Sequence, residues 1–404
     1  MKKFMFSLMA VAAMTACSKD PQNFVESNQT PEEGGAAEQV LLTTNVKASV
    51  VPKSAGGVDA WDGAQHLHIY GVKRQSSVNP NYANQDDVFV DNVVAVSPVE
   101  GAADNSIGVF KENRWDLLQA RNGELVNPGE LFYYEGNNAY DFFAFYIDDI
   151  EGQLVKEQAK VYVPIEINGG QDVMIAKADI TSDSDKAFGE GLWPAGWDER
   201  YAYSAYAARR GVHPSLNFEH QLVRFRFYIE SGSEFTTTGQ PENLVVKGLS
   251  VTSQYKADLC VAGNERGLTN ISAETKDLAL CSLDPQTKAL VPLVPYEVHD
   301  KNTVITDESN LIGESLMVFP GKDEYTITLH MRQYNNDETF PVTLKFSDVK
   351  DGLEGQTAFE AGYSYKVYIN VVGIEDVELS AELEEWKDGG RVEIDSDLPP
   401  VPVE

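Results

Sequence analysis

The side chains able to do chemistry are few and scattered. The six histidines are His66, His68, His213, His220, His299 and His330. On a strand, His66 and His68 project from one face, a spacing that can chelate a metal. No third ligand accompanies them, so an outward polar pair is the reading, and no metal is expected. His220 falls in phase with Leu216, Phe218 and Leu222, which marks a hydrogen-bonded core histidine rather than a general base. Asp179, Asp183 and Asp185 lack the spaced glycine and terminal Glu of a calcium loop, so they read as a solvated acidic turn. The sequence has no GxSxG, HExxH, phosphate-cradling glycine loop or CxxC. No catalytic residue, no cofactor and no enzymatic activity are therefore expected. Trp193 and Trp197 flank Pro194-Ala195-Gly196. Exposed, they would stack on sugar rings; buried, they would cap the edge of a β-sandwich.

Three cysteines remain to be placed. Cys17 ends Met14-Thr15-Ala16-Cys17, behind Lys2, Lys3 and an apolar run. That is a secretory signal over 1–16 closing in a lipobox, with Cys17 as the lipidated residue of the exported chain. Outside the cytoplasm Cys260 and Cys281 either pair in a disulfide or remain two small buried thiols. The net charge is −31, from 63 acidic and 32 basic residues. Such a surface excludes nucleic acid as a partner, since phosphate contacts need cations.

The elements that hold these residues read as strands. Residues 17–38 are polar and rich in Pro and Gly, a flexible lipidated tether. Val40–Val51 then alternates, with Val40, Leu42, Thr44, Val46, Ala48 and Val50 on one side, as one half-buried strand. Lys53 follows in a loop containing Pro52 and Gly56-Gly57. A strand between two linkers that a protease can cut is removable, and its loss would leave backbone groups open to another strand. Further strands are expected at Trp61–Val72, Tyr140–Ile147, Val161–Ile167, Leu244–Ser253, Tyr325–Gln333 and Tyr363–Val371. Helical periodicity is confined to a turn or two near Tyr201–Arg210. Leu216–Ile229 changes phase between Leu222 and Val223, which predicts a β-bulge. The pattern is all-β, most simply two tandem β-sandwich domains over 39–212 and 213–395, with a Pro-rich tail over 396–404.

The order of several motifs resembles the fimbrillin family, subunits of lipoprotein-derived pili. These are the lipobox at Cys17; Trp61 with HIYGV; YDFFAFY at Tyr140–Tyr146; DVMIA at Asp172–Ala176; Leu216, Phe218 and His220; FPG at Phe319–Gly321; FxAGYSYKVYINV from Phe359; and AELEEWKDGG containing Trp386. The resemblance implies transthyretin-like sandwiches and an adhesive fimbrial subunit at the cell outer membrane and surface. It implies proteolysis after the first strand by a surface protease, here after Lys53, and a C-terminal donor strand that fills the vacated groove of the next subunit. The donor would be Val377–Asp395, with Leu379, Ala381, Leu383, Val392 and Ile394 facing in. Its partners would be other fimbrial subunits, the processing protease and a host or bacterial receptor. Family members are commonly cut after Arg, whereas the first Arg of this chain is Arg74. The competing expectation is a monomeric surface lipoprotein that binds glycans through exposed aromatic rings.

Overall fold

The computed structural model describes residues 40–46, 67–74, 81–96, 114–117, 120–121, 124–125, 134–135, 138–148, 153–231, 244–298, 311–350, 355–373 and 376–384. Among the described residues the chain is all-β, as its alternating pattern requires, with two short α-helices, α1 (Ile180–Phe188) and α2 (Ala205–Ala208).

In the first half, seven strands form one sheet closed on itself. Its strands are β1 (Leu41–Val46), β2 (Leu67–Lys73), β3 (Val88–Val96), β4 (Arg114–Leu117), β5 (Tyr140–Ile147), β6 (Val173–Lys177) and β7 (Ser215–His220). Around the ring they run β1, β7, β6, β5, β2, β3, β4 and back to β1. β5 sits deepest. Its YDFFAFYI sequence presents apolar groups to both faces, and only Asp141 is not buried. A strand apolar on both faces needs cover on both, and β5 is paired along its length with β6 on one side and β2 on the other.

The phase reversal at Leu222–Val223 is not a bulge. It is the place where the chain changes sheet. Gln221 N–H still donates to Val173 O in the first sheet, while Leu222 O already accepts from Gly362 N–H in the second. Leu216, Phe218 and His220 are buried on the first sheet; Val223, Phe225, Phe227 and Ile229 are buried on the second. One long apolar run thus serves two sheets, and the flip of phase re-aims it between them.

Past that crossing, β8 (Val223–Ser231) lies between Leu311–Val318 and Ser364–Gly373, and Asp376–Glu384 extends the same sheet. A second sheet carries Leu244–Gln254, Glu324–Gln333 and Asn336–Lys345. The two pack through Phe225, Tyr325, Phe359 and Tyr365, with Phe225 and Tyr325 edge to face at 5.3 Å. The halves are not separate beads. Lys160–Glu166 of the first pairs antiparallel with Lys256–Gly263 of the second in a shared sheet.

Candidate functional site

β1 closes the ring of the first half. It runs parallel to β7, with Thr43 opposite Ser215 and Val46 opposite Phe218. On its other side it runs antiparallel to β4, with Leu41 opposite Asp116 and Thr43 opposite Arg114. The alternation expected over Val40–Val51 puts Val40 and Leu42 inward, and both are fully buried. Residues 47–51 lie outside the described residues, as do Cys17, Lys53, Val392 and Ile394. Without β1, the sheet would be open between β4 and β7. Each of those strands would then offer one row of backbone groups to a new partner.

The acidic segment Asp179–Asp185 is not a solvated turn. Asp179 caps α1, its carboxylate accepting from Thr181 N–H at 3.0 Å and Ser182 N–H at 3.3 Å. Asp183 is buried inside the helix. Its Oδ2 accepts from Tyr203 Oη and from Ser215 N–H, both at 2.7 Å, and its Oδ1 pairs with Lys186 Nζ at 2.9 Å. Burial, reinforced by the Asp183 charge and hydrogen bond, holds the Tyr203 phenol well above its ordinary value. Asp185 accepts from Trp193 Nε1 at 3.3 Å and from Gly191 N–H at 3.1 Å. The missed signal was local. Asp179 stands one residue ahead of a nine-residue run that stops at Gly189, where φ is +90°.

Arg74, the first arginine, directly follows β2 and is held there. Its Nη2 donates to Asp141 Oδ1 and Tyr140 O, each at 2.7 Å, and its Nη1 donates to Ala202 O at 3.2 Å and to Glu199 O. At the other end of the chain, Leu379, Ala381 and Leu383 lie on Asp376–Glu384, already paired along its length with Ser364–Gly373. Ala381 is fully buried, and Leu379 and Leu383 are half-buried against the core.

Cys260 and Cys281 are free thiols in different sheets. Cys260 lies on the strand shared by the two halves, its Sγ 3.5 Å from Ala262 O. Cys281 lies in a small hairpin, its Sγ 3.6 Å from Ala279 O. Burial pushes both thiols up, which fits small packing groups rather than reactive ones. His220 is the core histidine its phase predicts, with Nδ1 2.9 Å from Asp172 Oδ2. His68 stacks on Phe145 at 4.6 Å, and His66 lies outside the described residues. Among the described residues no group of three or more His, Cys, Asp or Glu could hold a metal. Trp197 is 8% exposed and sits amid Phe188, Trp193, Tyr201 and Tyr206. Its ring is a packing element, not a free platform for a sugar.

A family model described as fimbrillin-like matches residues 59–386. Solved structures that resemble the chain include a protein assigned to cell adhesion from Bacteroides uniformis. It is 15% identical, with a TM-score of 0.46, covering 86% of this chain and 99% of that one. Another such protein, from Parabacteroides distasonis, is 9% identical with a TM-score of 0.41, covering 88% and 98%. The fimbrial anchor protein Mfa2 from Porphyromonas gingivalis is 9% identical with a TM-score of 0.32, covering 86% and 98%. No curated relative matches the sequence. The family match spans both halves and the crossing between them, and on it the chain belongs to the fimbrillin-like family, structural subunits of bacterial surface fimbriae.

Proposed function

We propose that this chain is a fimbrial subunit that polymerises by exchanging β1 for a strand of the next copy. It is exported as a lipoprotein, lipidated at Cys17 and held at the outer membrane until a surface protease cuts after Lys53. β1 then leaves, and the C-terminal tail of a neighbour takes its place between β4 and β7.

The observation that carries this reading is the place of β1 in the ring. It is bounded by short pairings, Leu41–Thr43 with β4 and Thr43–Val46 with β7. It also buries two side chains, Val40 and Leu42, completely. Each is worth roughly 1.5–3 kcal/mol when buried, enough to seat a strand and enough to favour a replacement. The joint is head-to-tail and does not close, so it propagates as a filament. The donor region 377–395 divides in two. Its first part is engaged in its own sheet, so the exchanging part is the segment holding Val392 and Ile394. The −31 charge keeps unassembled copies apart.

The experiment is trimming of the purified chain with a Lys-specific protease, followed by electrophoresis in SDS without boiling. The expected result is a ladder of resistant oligomers in the full chain and none in a chain ending at Glu384. A ladder in both would sink the tail as donor. No ladder in either would sink strand exchange and favour a monomeric surface protein.

A further inference from the structure

The outer face of β1 makes a polar contact that inward packing does not require. Thr43 Oγ1 lies 2.8 Å from Ser215 Oγ, and the two residues are register partners across the parallel pair. Ser215 Oγ also accepts from Lys186 Nζ at 3.0 Å. Lys186 is fixed by Asp183 Oδ1 at 2.9 Å, and Asp183 Oδ2 takes the Ser215 N–H at 2.7 Å. Ser215 is thereby held at both its backbone and its hydroxyl by α1. Behind it, Asp183 and Tyr203 are 3% and 0% exposed.

An ammonium group only donates, so Lys186 occupies one lone pair of Ser215 Oγ. The hydroxyl proton and the second lone pair remain for whatever lies at position 43. A hydroxyl, carboxylate or amide there uses one of them; an aliphatic side chain uses neither. A one-residue slip of β1 would bring an inward residue to this point and turn Val40 and Leu42 outward.

We propose that Ser215, held by Lys186 and Asp183, reads the register of the strand in the β1 slot, accepting one with a hydrogen-bonding side chain at the place of Thr43. Resting on the strand-replacement reading above, the same requirement applies to the donor from a second copy. The tail sequence Val392-Glu393-Ile394-Asp395 meets it. With Val392 and Ile394 in the places of Val40 and Leu42, running in the same direction, Asp395 arrives at the place of Thr43. A carboxylate there accepts the Ser215 hydroxyl proton and faces the Lys186 ammonium, a charge-assisted pairing that Thr43 itself lacks.

Two measurements separate this reading of register from strand exchange. In the intact chain, amide hydrogen exchange over Leu41–Val46 is followed for Thr43→Val, Thr43→Ser, Ser215→Ala and the Thr43→Val/Ser215→Ala double variant. Thr43→Val and Ser215→Ala are expected to speed exchange by roughly five- to tenfold, the worth of one such hydrogen bond. Thr43→Ser should leave it unchanged, and the double variant should be no faster than Ser215→Ala. Equal protection in Thr43→Val and the parent overturns the proposal, whether or not the chain polymerises. In the second measurement, chain cut between β1 and β2 is loaded with synthetic peptides spanning residues 385–397, as such and as D395N and D395L. D395L is expected to dissociate about tenfold faster than D395N, with the parent peptide no faster than D395N, and the difference between D395L and D395N should vanish on a Ser215→Ala acceptor. Equal dissociation of all three overturns the donor half of the proposal. If no peptide binds, the strand-replacement reading fails, and the amide exchange alone decides whether Ser215 holds β1.

Discussion

Arg74 and Asp141 clasp each other across β2 and β5, Nε and Nη2 of the guanidinium lying 3.1 and 2.7 Å from the same oxygen, Asp141 Oδ1. The remaining donors are taken by backbone carbonyls of Tyr140, Ala202 and Glu199. A trypsin-like enzyme needs an arginine extended and free, and this one is neither. An Arg-specific protease is therefore expected to spare the bond after Arg74 in the folded chain. Asp141→Ala should expose it, raising the cleavage rate tenfold or more, and should lower stability by about 1.5–3 kcal/mol, the range for a charge-assisted bond. Limited proteolysis with peptide mapping, beside urea denaturation, checks both. Rapid native cleavage at Arg74 in the parent chain would show that the clasp does not protect it.

Asp183 joins α1 to β7 and to Tyr203 at once. Asp183→Ala would strand a buried Ser215 N–H and the Tyr203 hydroxyl, and leave Lys186 without its counter-charge. The expected cost is about 3–5 kcal/mol, as for other broken buried pairs. Lys186→Met should cost far less, because Lys186 is about one-third exposed and its loss leaves Asp183 two strong donors. Thermal or urea unfolding of the two variants ranks them. Equal losses would mean that Asp183 serves the ion pair alone.

These two cases show where the sequence was legible. Period-two alternation marks Val40–Leu42 and the Tyr363–Val371 region, because each strand has faces of distinct polarity, whereas the dense aromatics of Tyr140–Ile147 mark a strand packed on both faces. His220 was readable for the same reason. Asp183 was not. Its neighbours are polar, and its burial is imposed by Tyr203 and Ser215, twenty and thirty-two residues away. The sheet change at Gln221–Leu222 reads as a bulge in the sequence because both invert phase. Only hydrogen-bond partners distinguish them, Val173 for one residue and Gly362 for the next. The pairing of Lys160–Glu166 with Lys256–Gly263 joins strands about a hundred residues apart, beyond the reach of any local pattern.

Buried phenols make the chain sensitive to alkali. Burial pushes Tyr82 and Tyr140 from 10.0 up to about 12, and pushes Tyr70, Tyr134, Tyr325 and Tyr365 up as well. In the unfolded chain these groups lose their protons near 10. The folded state binds those protons more tightly, so their contribution is complete below the unfolded value. It is lost as pH rises toward the folded value. The urea midpoint is expected to hold steady up to about pH 9 and to fall steeply between 10 and 12, with phenolate absorbance appearing together with unfolding. Phenolate absorbance that develops fully near pH 10 while the fold persists would mean that these rings are open to solvent.

The two parts of the candidate donor should respond oppositely to the same change. Ala381 is fully buried opposite Val367 in a completed sheet, and Leu379 and Leu383 pair with Ile369 and Tyr365. Placing a carboxylate at Ala381 puts an unpaired charge in that core, so Ala381→Asp should destabilise the monomer by on the order of 3 kcal/mol or more. Its effect on assembly would then be secondary to misfolding. Val392→Asp and Ile394→Asp make the same change in the tail. If that segment is the one that enters the vacated slot, both should leave the monomer's urea midpoint where it was and abolish the SDS-resistant ladder after trimming. The pattern discriminates because strand exchange requires a donor that is dispensable to its own subunit. Were the ladder to survive Val392→Asp and Ile394→Asp, yet vanish in a Leu379→Asp variant of unchanged stability, the donor would be the resident strand. Exchange would then have to begin by peeling Asp376–Glu384 away from Ser364–Gly373.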